Sequence, residues 1–321
     1  MSHDYPAIQM SRINYSSVQT LLALESQTVR IGLRESFKQF GFSDFTEVSK
    51  GGGLFKAMEE SSFDLMIISG SLEGTSTVPM ISAMRDGRLP HHPFPIVIML
   101  LTEGDADSIG AAINAGPDHL MVLPVAPGPM LKRIEEFAVY RKPFVVTMEY
   151  VGPDRRTGPR PGCAPAPHVS VPNPISASIR NTPIGERQSQ IGLTRLQLST
   201  IKLRSYMGYF LALENTTNAM FLEGKIEANK LAFFARCLAR ITVSLPFCSD
   251  DLCCTNVDPL TAGEAISDLT ADIEAIMHDG PSLDRARQDA FRANCHVVAD
   301  ELSQIISGKA MVANEVWSKQ A

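Results

Sequence analysis

A serine stands where a parallel sheet would place a reactive group. The stretch Phe63-Asp64-Leu65-Met66-Ile67-Ile68-Ser69 is unbroken apolar sequence from Leu65 to Ile68. That is the pattern of a strand buried on both faces. In open α/β sheets chemistry sits just beyond the carboxyl ends of such strands, and Ser69 occupies that place. Gly70 and Ser71 follow it, and no carboxylate does. A serine hydroxyl becomes a nucleophile only with a base beside it; no base is visible at this spacing, and capping of the strand end is the plainer role.

Other chemistry-bearing groups are weaker. Gly51-Gly52-Gly53 precedes a helical stretch and could cradle a phosphate, but no Lys-Ser/Thr pair follows and the GxGxxG spacing is absent, so a plain turn accounts for it. His91 and His92 fall in a proline-punctuated connection with no further ligand at metal spacing. Cys248, Cys253 and Cys254 with His278 or His296 lack a CxxC pair. Arg155, Arg156 and Arg160 form a basic cluster too small to separate a binding site from solvated loop. No metal or cofactor is expected.

The elements that must position Ser69 alternate regularly. Val18 to Leu24 reads as a buried strand, Ser26 to Phe40 as a helix closed by Gly41, Phe45 to Val48 as a second strand, and Leu54 to Glu60 as a second helix. A loop and a helix over Val78 to Arg85 follow the Ser69 strand. Ile96 to Leu101, ending at Thr102, is a fourth strand; a helix runs from Asp105 to Ala115, a fifth strand from Leu120 to Leu123 and a fifth helix from Pro129 to Tyr140. Five βα units of this kind predict an α/β fold, a doubly wound parallel sheet. Right-handed crossovers place the ends of strands one, three and four side by side.

In order and spacing, residues 17–140 resemble the receiver domain of bacterial two-component response regulators. The carriers are the Phe63–Ser69 stretch, Pro95-Ile96-Val97-Ile98-Met99-Leu100-Leu101-Thr102, Asn114-Ala115-Gly116 and Leu120-Met121-Val122-Leu123-Pro124. The following Arg141-Lys142-Pro143-Phe144-Val145-Val146-Thr147, with Tyr150-Val151-Gly152-Pro153-Asp154-Arg155-Arg156, resembles the tail of a CheY-like group common in alphaproteobacteria.

The resemblance implies a phosphorylation site, and residue by residue the site is degenerate. The nucleophilic aspartate position is Ser69, the metal-binding acidic pair falls on Leu24 and Glu25, and the phosphoryl-binding lysine position is Leu123. Thr102 keeps the hydroxyl expected after strand four, and the aromatic switch position is Leu120. Charge builds on a transferring phosphoryl group and must be met by a metal and a cation. One carboxylate makes a poor Mg²⁺ site without a phosphate already bound, and Leu123 offers no charge at all. The expectation is a pseudo-receiver, with Leu24 and Leu123 as apolar filling. A divergent phosphorylation site using Ser69 or Ser71 is the alternative.

The chain has 321 residues, 44% hydrophobic, with a net charge of −6. That balance favours neither a polyanion nor a membrane surface as partner. Met1 to Ser17 lacks the apolar core of a signal peptide and no run reaches membrane-span length, so the chain is expected to be cytoplasmic, with cysteines 163, 237, 248, 253, 254 and 295 reduced. Residues 1–16 read as a tail. Residues 141–190 read as an exposed, semi-rigid linker, and from Tyr150 to Gln190 prolines 153, 159, 161, 165, 167, 172, 174 and 183 exclude a helix.

Residues 191–321 read as an all-α bundle. A first amphipathic helix, carrying Leu196, Ile201, Leu203, Met207, Phe210 and Leu211, runs towards Leu222. A second spans Lys225 to Leu245 and ends at Pro246. A third opens at the capping box Thr261-Ala262-Gly263-Glu264, and a fourth runs from Ser282 to Ser307. Ordinary core and a dimer interface account equally for the apolar excess of the first two, and a homo-oligomer is expected. Twelve Lys/Arg against sixteen Asp/Glu in these residues argue against a nucleic-acid output, although pseudo-receivers occur in transcription and antitermination regulators. Neither His278 nor His296 sits in the pattern of histidine phosphotransfer bundles, and signatures of cyclic-nucleotide enzymes are absent. The expected function is a non-enzymatic, phosphorylation-independent adaptor that binds another signalling protein.

Overall fold

The computed structural model describes residues 13–102, 106–156, 158, 167–225, 227–250, 259–279 and 284–318. The chain divides into two units. The first comprises residues 1–85, 89–142 and 171–191; the second comprises residues 86–88, 143–170 and 192–321.

The first unit is built on five parallel strands, β1 (Thr20–Ala23), β2 (Phe45–Val48), β3 (Leu65–Ser69), β6 (Ile96–Leu101) and β7 (His119–Val122), in the order β2-β1-β3-β6-β7. β3 is central, pairing Leu65–Ile68 with Thr20–Ala23 on one side and Leu65–Ser69 with Ile96–Leu100 on the other. The two-residue period of the strands divides the apolar residues between two cores. Leu22, Leu65, Ile67, Ile96 and Ile98 face one core, completed by Leu33 and Phe37 of α1 (Gln27–Gln39) and by Met130, Leu131 and Ile134 of α5 (Pro127–Val139). Leu21, Ala23, Met66, Ile68, Val97 and Met99 face the other. It is completed by Leu54 and Met58 of α2 (Gly51–Glu60), Ile81 and Met84 of α3 (Val78–Arg85), and Ala112 of α4 (Ala106–Asn114). This is the sheet the βα alternation predicts.

One element in this unit was not expected. Between β3 and α3 lies a two-stranded hairpin, β4 (Ser71–Leu72) and β5 (Thr75–Ser76). Its turn residues, Glu73 and Gly74, both have positive φ, 49° and 76°, as a type I′ hairpin turn requires.

Residues 141–190 correct the expectation of an exposed linker without helix. Phe144–Val146 (β8), Val151–Pro153 (β9) and His168–Val169 (β10) form an antiparallel sheet in the order β10-β8-β9, and all three β8 residues are buried. Pro174–Ile179 forms a helix, α6. Proline is excluded from helix interiors but welcome in the first turn, where its N–H would have no partner. Pro174 sits there, and Asn173 caps the turn by accepting from the Ser176 N–H at 3.2 Å. Ile175 is fully buried in the core beneath α5, and the Asn173 side chain donates to the Phe137 carbonyl at 2.6 Å. Residues 171–191 therefore belong to the sheet unit, and residues 143–170 to the second. Pro159, Pro161, Pro165, Arg160 and Cys163 lie outside the described residues.

The second unit is mainly helical: α7 (Ile184–Glu223, whose residues to Ile191 count with the first unit), α8 (Ala228–Asp250), α9 (Pro259–Asp279) and α10 (Arg285–Ser318). α8 packs on α9 and α9 on α10. Leu203 and Phe210 of α7, Leu231, Phe234, Leu238 and Ile241 of α8, Ile266, Leu269, Ile273 and Ile276 of α9, and Phe291, Val298 and Leu302 of α10 make one core. The Tyr209 hydroxyl donates to the Phe234 carbonyl inside it at 2.6 Å.

The helix ends differ from expectation. α7 starts ahead of residue 191, and its Leu211 is exposed. α8 continues four residues past Pro246, to Asp250. α9 begins at Pro259, with proline again in the first turn, so Thr261 lies inside the helix and is not its cap. α10 runs past Ser307 to Ser318. No helix of the described residues is long and apolar enough to cross a membrane.

Candidate functional site

At the carboxyl ends of β1, β3 and β6 the first unit has a cavity of about 700 Å³. Backbone bonds that continue the ladders beyond the strands fix its walls: Leu24 N–H donates to the Val48 carbonyl at 3.0 Å, Gly70 N–H to that of Leu100 at 2.8 Å, and Leu123 N–H to that of Leu101 at 2.8 Å. Leu24, Glu25, Ser69, Thr102 and Leu123, the five positions singled out from sequence, all line it. Leu120 does not. It is half-buried against the core that holds Met66 and Ile68.

Leu24 is buried in the floor, while Glu25 and Thr102 are exposed at the mouth. Glu25 accepts from the Glu73 N–H at 3.3 Å, so the hairpin turn is tied to the cavity's one described carboxylate. Glu73 in turn pairs with Lys50 at 3.2 Å. Thr77 donates its hydroxyl to the Ser69 carbonyl at 2.6 Å, holding the end of β3 against the start of α3. The hydroxyls of Ser69 and Thr102 have no hydrogen-bond partner among the described residues. Among the described lining residues there is no lysine, arginine or histidine, and no acid besides Glu25.

The lining departs from the groups that phosphoryl transfer uses elsewhere. No carboxylate stands at the end of β3 to attack, and the β1 end supplies one acid where Mg²⁺ retention needs more. Leu123 presents carbon where a transferring phosphoryl group needs positive charge. Ser69 has no base among the described residues that line the cavity, other than a Glu25 already engaged by the hairpin.

The hairpin supplies Ser71, Gly74 and Ser76 to the lining, and these were missed from sequence. The available signal was the Glu73-Gly74 pair flanked by Leu72 and Thr75. Gly51 to Gly53 form the first turn of α2 and do not line the cavity; a side chain at Gly51 would meet Thr75 of the hairpin at 3.6 Å. His91 lies 3.0 Å from the Glu59 carbonyl, and His92 Nδ1 accepts from the Phe94 N–H. His296 pairs with Glu214 at 3.2 Å. No group of three potential metal ligands occurs among the described residues; Cys253 and Cys254 lie outside them, as does the side chain of Cys248.

No family model matches the chain. Among characterised proteins it is similar to the chemotaxis protein CheY of Pseudomonas aeruginosa, 24% identical over 120 residues that span 37% of this chain and 94% of that protein. The first unit is a CheY-like receiver domain. Solved structures similar to the chain include the response regulator DrrB of Thermotoga maritima (an OmpR/PhoB homolog; 19% identity, TM-score 0.33). The likeness covers 37% of this chain and only 52% of that one. Another is a response regulator of Burkholderia pseudomallei with a phosphorylated aspartic acid, at 16% identity and TM-score 0.30, covering 41% and 79% of the two chains. These likenesses cover 37 to 41% of the chain.

Proposed function

We propose that this protein is a phosphorylation-independent signalling adaptor, non-enzymatic, whose receiver acts by binding other proteins. The observation that carries the reading is the lining of the cavity at the strand ends. Leu24, Ser69 and Leu123 stand at three positions where receiver chemistry needs an acid, a nucleophilic carboxylate and a cation. Losing one would weaken phosphoryl transfer; losing all three removes the attacking atom together with the charges that stabilise the transition state.

The docking surface in this reading is the face formed by α4, β7 and α5. Val122 on β7 and Val139 on α5 are more than half exposed, which supports an apolar contact there. The helical unit serves assembly with a second copy, and the half-exposed Val243 and Met277 support it in that role.

The test is the thermal midpoint of the full chain with and without Mg²⁺ and beryllofluoride, a mimic of the phosphoryl group. A ligand bound by the folded state alone raises the midpoint. No shift at millimolar concentrations is expected. A shift that Ser69→Ala abolishes would make the protein a response regulator with unusual chemistry.

A further inference from the structure

The cavity left at the receiver's strand ends has the size and lining of a small-molecule site. A volume of about 700 Å³ lies within the usual range of pockets for organic ligands, roughly 300–1,000 Å³. Its floor is apolar, made by Leu24, Leu100 and Leu123. Two hydroxyls line it without partners among the described residues, Ser69 at the end of β3 and Thr102 just after the neighbouring β6. Glu25 at the mouth is the one charge among the described lining residues.

These groups rank ligands by charge. An anion entering here would leave water to meet leucines and a carboxylate, with no cation among the described lining residues to offset its desolvation. A neutral molecule would gain the apolar contacts and the two hydroxyls. An organic cation would gain those and an ion pair with Glu25. We propose that the pocket binds a small amphipathic amine. Its apolar body lies against Leu24, Leu100 and Leu123, and its ammonium group sits at Glu25. This rests on the reading above, that the pocket no longer holds a phosphoryl group and Mg²⁺.

The experiment titrates the full-length chain with hexylamine, hexanol and hexanoate, which share a body and differ in charge, and with methylamine, which lacks the body. Mg²⁺ with beryllofluoride is a separate arm. Binding is read by thermal midpoint and by amide shifts of residues 24, 69 and 123. Hexylamine is expected to bind about fivefold tighter than hexanol, the most that a solvent-exposed ion pair supplies, and hexanoate and methylamine more weakly still. Glu25 is exposed and its replacement leaves the core intact, so Glu25→Gln should bring hexylamine down to hexanol. Leu123→Lys should reverse the order of hexylamine and hexanoate. Equal binding of hexylamine and hexanol, no effect of Glu25→Gln, or no binding of hexylamine overturns the proposal. Beryllofluoride keeps the two readings apart: a shift in that arm defeats the phosphorylation-independent reading and the amine site with it. Silence in both arms defeats the amine site alone.

Discussion

The Ser178 hydroxyl donates to the Asp64 carboxylate at 2.8 Å, joining α6 to the start of β3 across 114 residues of chain. Asp64 also accepts from the Gln19 N–H at 3.0 Å, and Ser178 accepts from Arg187 at 2.9 Å. A segment that looks like linker thus closes the amino end of the central strand. Ser178→Ala leaves a buried carboxylate short of one donor, a loss of about 1–3 kcal/mol, to be read from denaturant midpoints at constant slope.

Burial raises the Asp64 pKa, more than its hydrogen bonds from Ser178 and Gln19 and the nearby Arg187 lower it. An acid raised in the folded state contributes stability that is present below its unfolded value, near 3.9, and lost as pH rises through the folded one. Asp64→Asn removes that titration. The stability of the parent relative to the Asp64→Asn variant should therefore fall as pH is raised from acid towards neutrality, and a flat difference would assign Asp64 no part in it.

Arg141 is the second case in which a residue of the supposed linker holds the sheet. Its guanidinium meets the Asp118 carboxylate at 3.0 Å and the carbonyls of Phe94, Pro95 and Pro172 at 2.6, 3.0 and 2.7 Å. Arg85 meets the other side of Asp118 at 2.7 Å, and all three side chains are nearly inaccessible to water. Removing one member of such a buried set leaves uncompensated charge, at a cost of about 3–5 kcal/mol. Arg141→Ala should lower stability by that order in chemical denaturation. Arg141→Lys should recover little, since an ammonium cannot serve a carboxylate and three carbonyls from one plane.

How far the sequence could show this depends on the range of each signal. The runs Leu65–Ile68 and Ile96–Leu101 specify both cores of the receiver, because burial on two faces leaves an unbroken apolar stretch. The grouping of Leu24, Glu25, Ser69, Thr102 and Leu123 follows from the same pattern, since parallel strands bring their carboxyl ends together. The β4–β5 hairpin left one local signal, the Glu73-Gly74 pair; its strands of two residues carry no period, and Ser71, Leu72, Thr75 and Ser76 read equally as loop. α6 was hidden for a different reason. Pro172, Pro174 and Pro183 look like breakers until Asn173 is recognised as a cap with proline in the first turn. The partners of Arg141 lie 23 to 47 residues away in chain, and no local pattern reports them.

Within the second unit, Asp86 is buried with Lys202 at 3.1 Å and Arg240 at 2.9 Å, and Lys202 also donates to the Asp86 carbonyl at 2.9 Å. Burial alone would raise the Asp86 pKa; Lys202 and Arg240 overcome it and hold the carboxyl below its ordinary value. An acid lowered in the folded state contributes stability that is present above its unfolded value, near 3.9, and lost as pH falls through the folded one. Acidification below about pH 4 should therefore destabilise the parent more steeply than Asp86→Asn, which is already weaker at neutral pH. Parallel acid curves for the two would remove Asp86 from the account.

The cavity can be tested by putting the missing chemistry back. Each single change, Leu24→Asp, Ser69→Asp or Leu123→Lys, restores one part of a phosphoryl site and leaves the others absent, so none alone should gain a beryllofluoride response. Ser69→Asp alone also sets a second carboxylate near Glu25 with no cation to offset it. The three changes together supply the attacking carboxylate, an acidic pair at the end of β1 and a cation after β7. Those are the groups that a transferring phosphoryl requires. The triple variant is expected to show a rise in thermal midpoint with Mg²⁺ and beryllofluoride that every single variant lacks, because groups that act as one unit are not additive. A triple variant that stays folded and silent would mean that these positions are not the ones that converge on the phosphoryl group, and the assignment of the degenerate site would have to move.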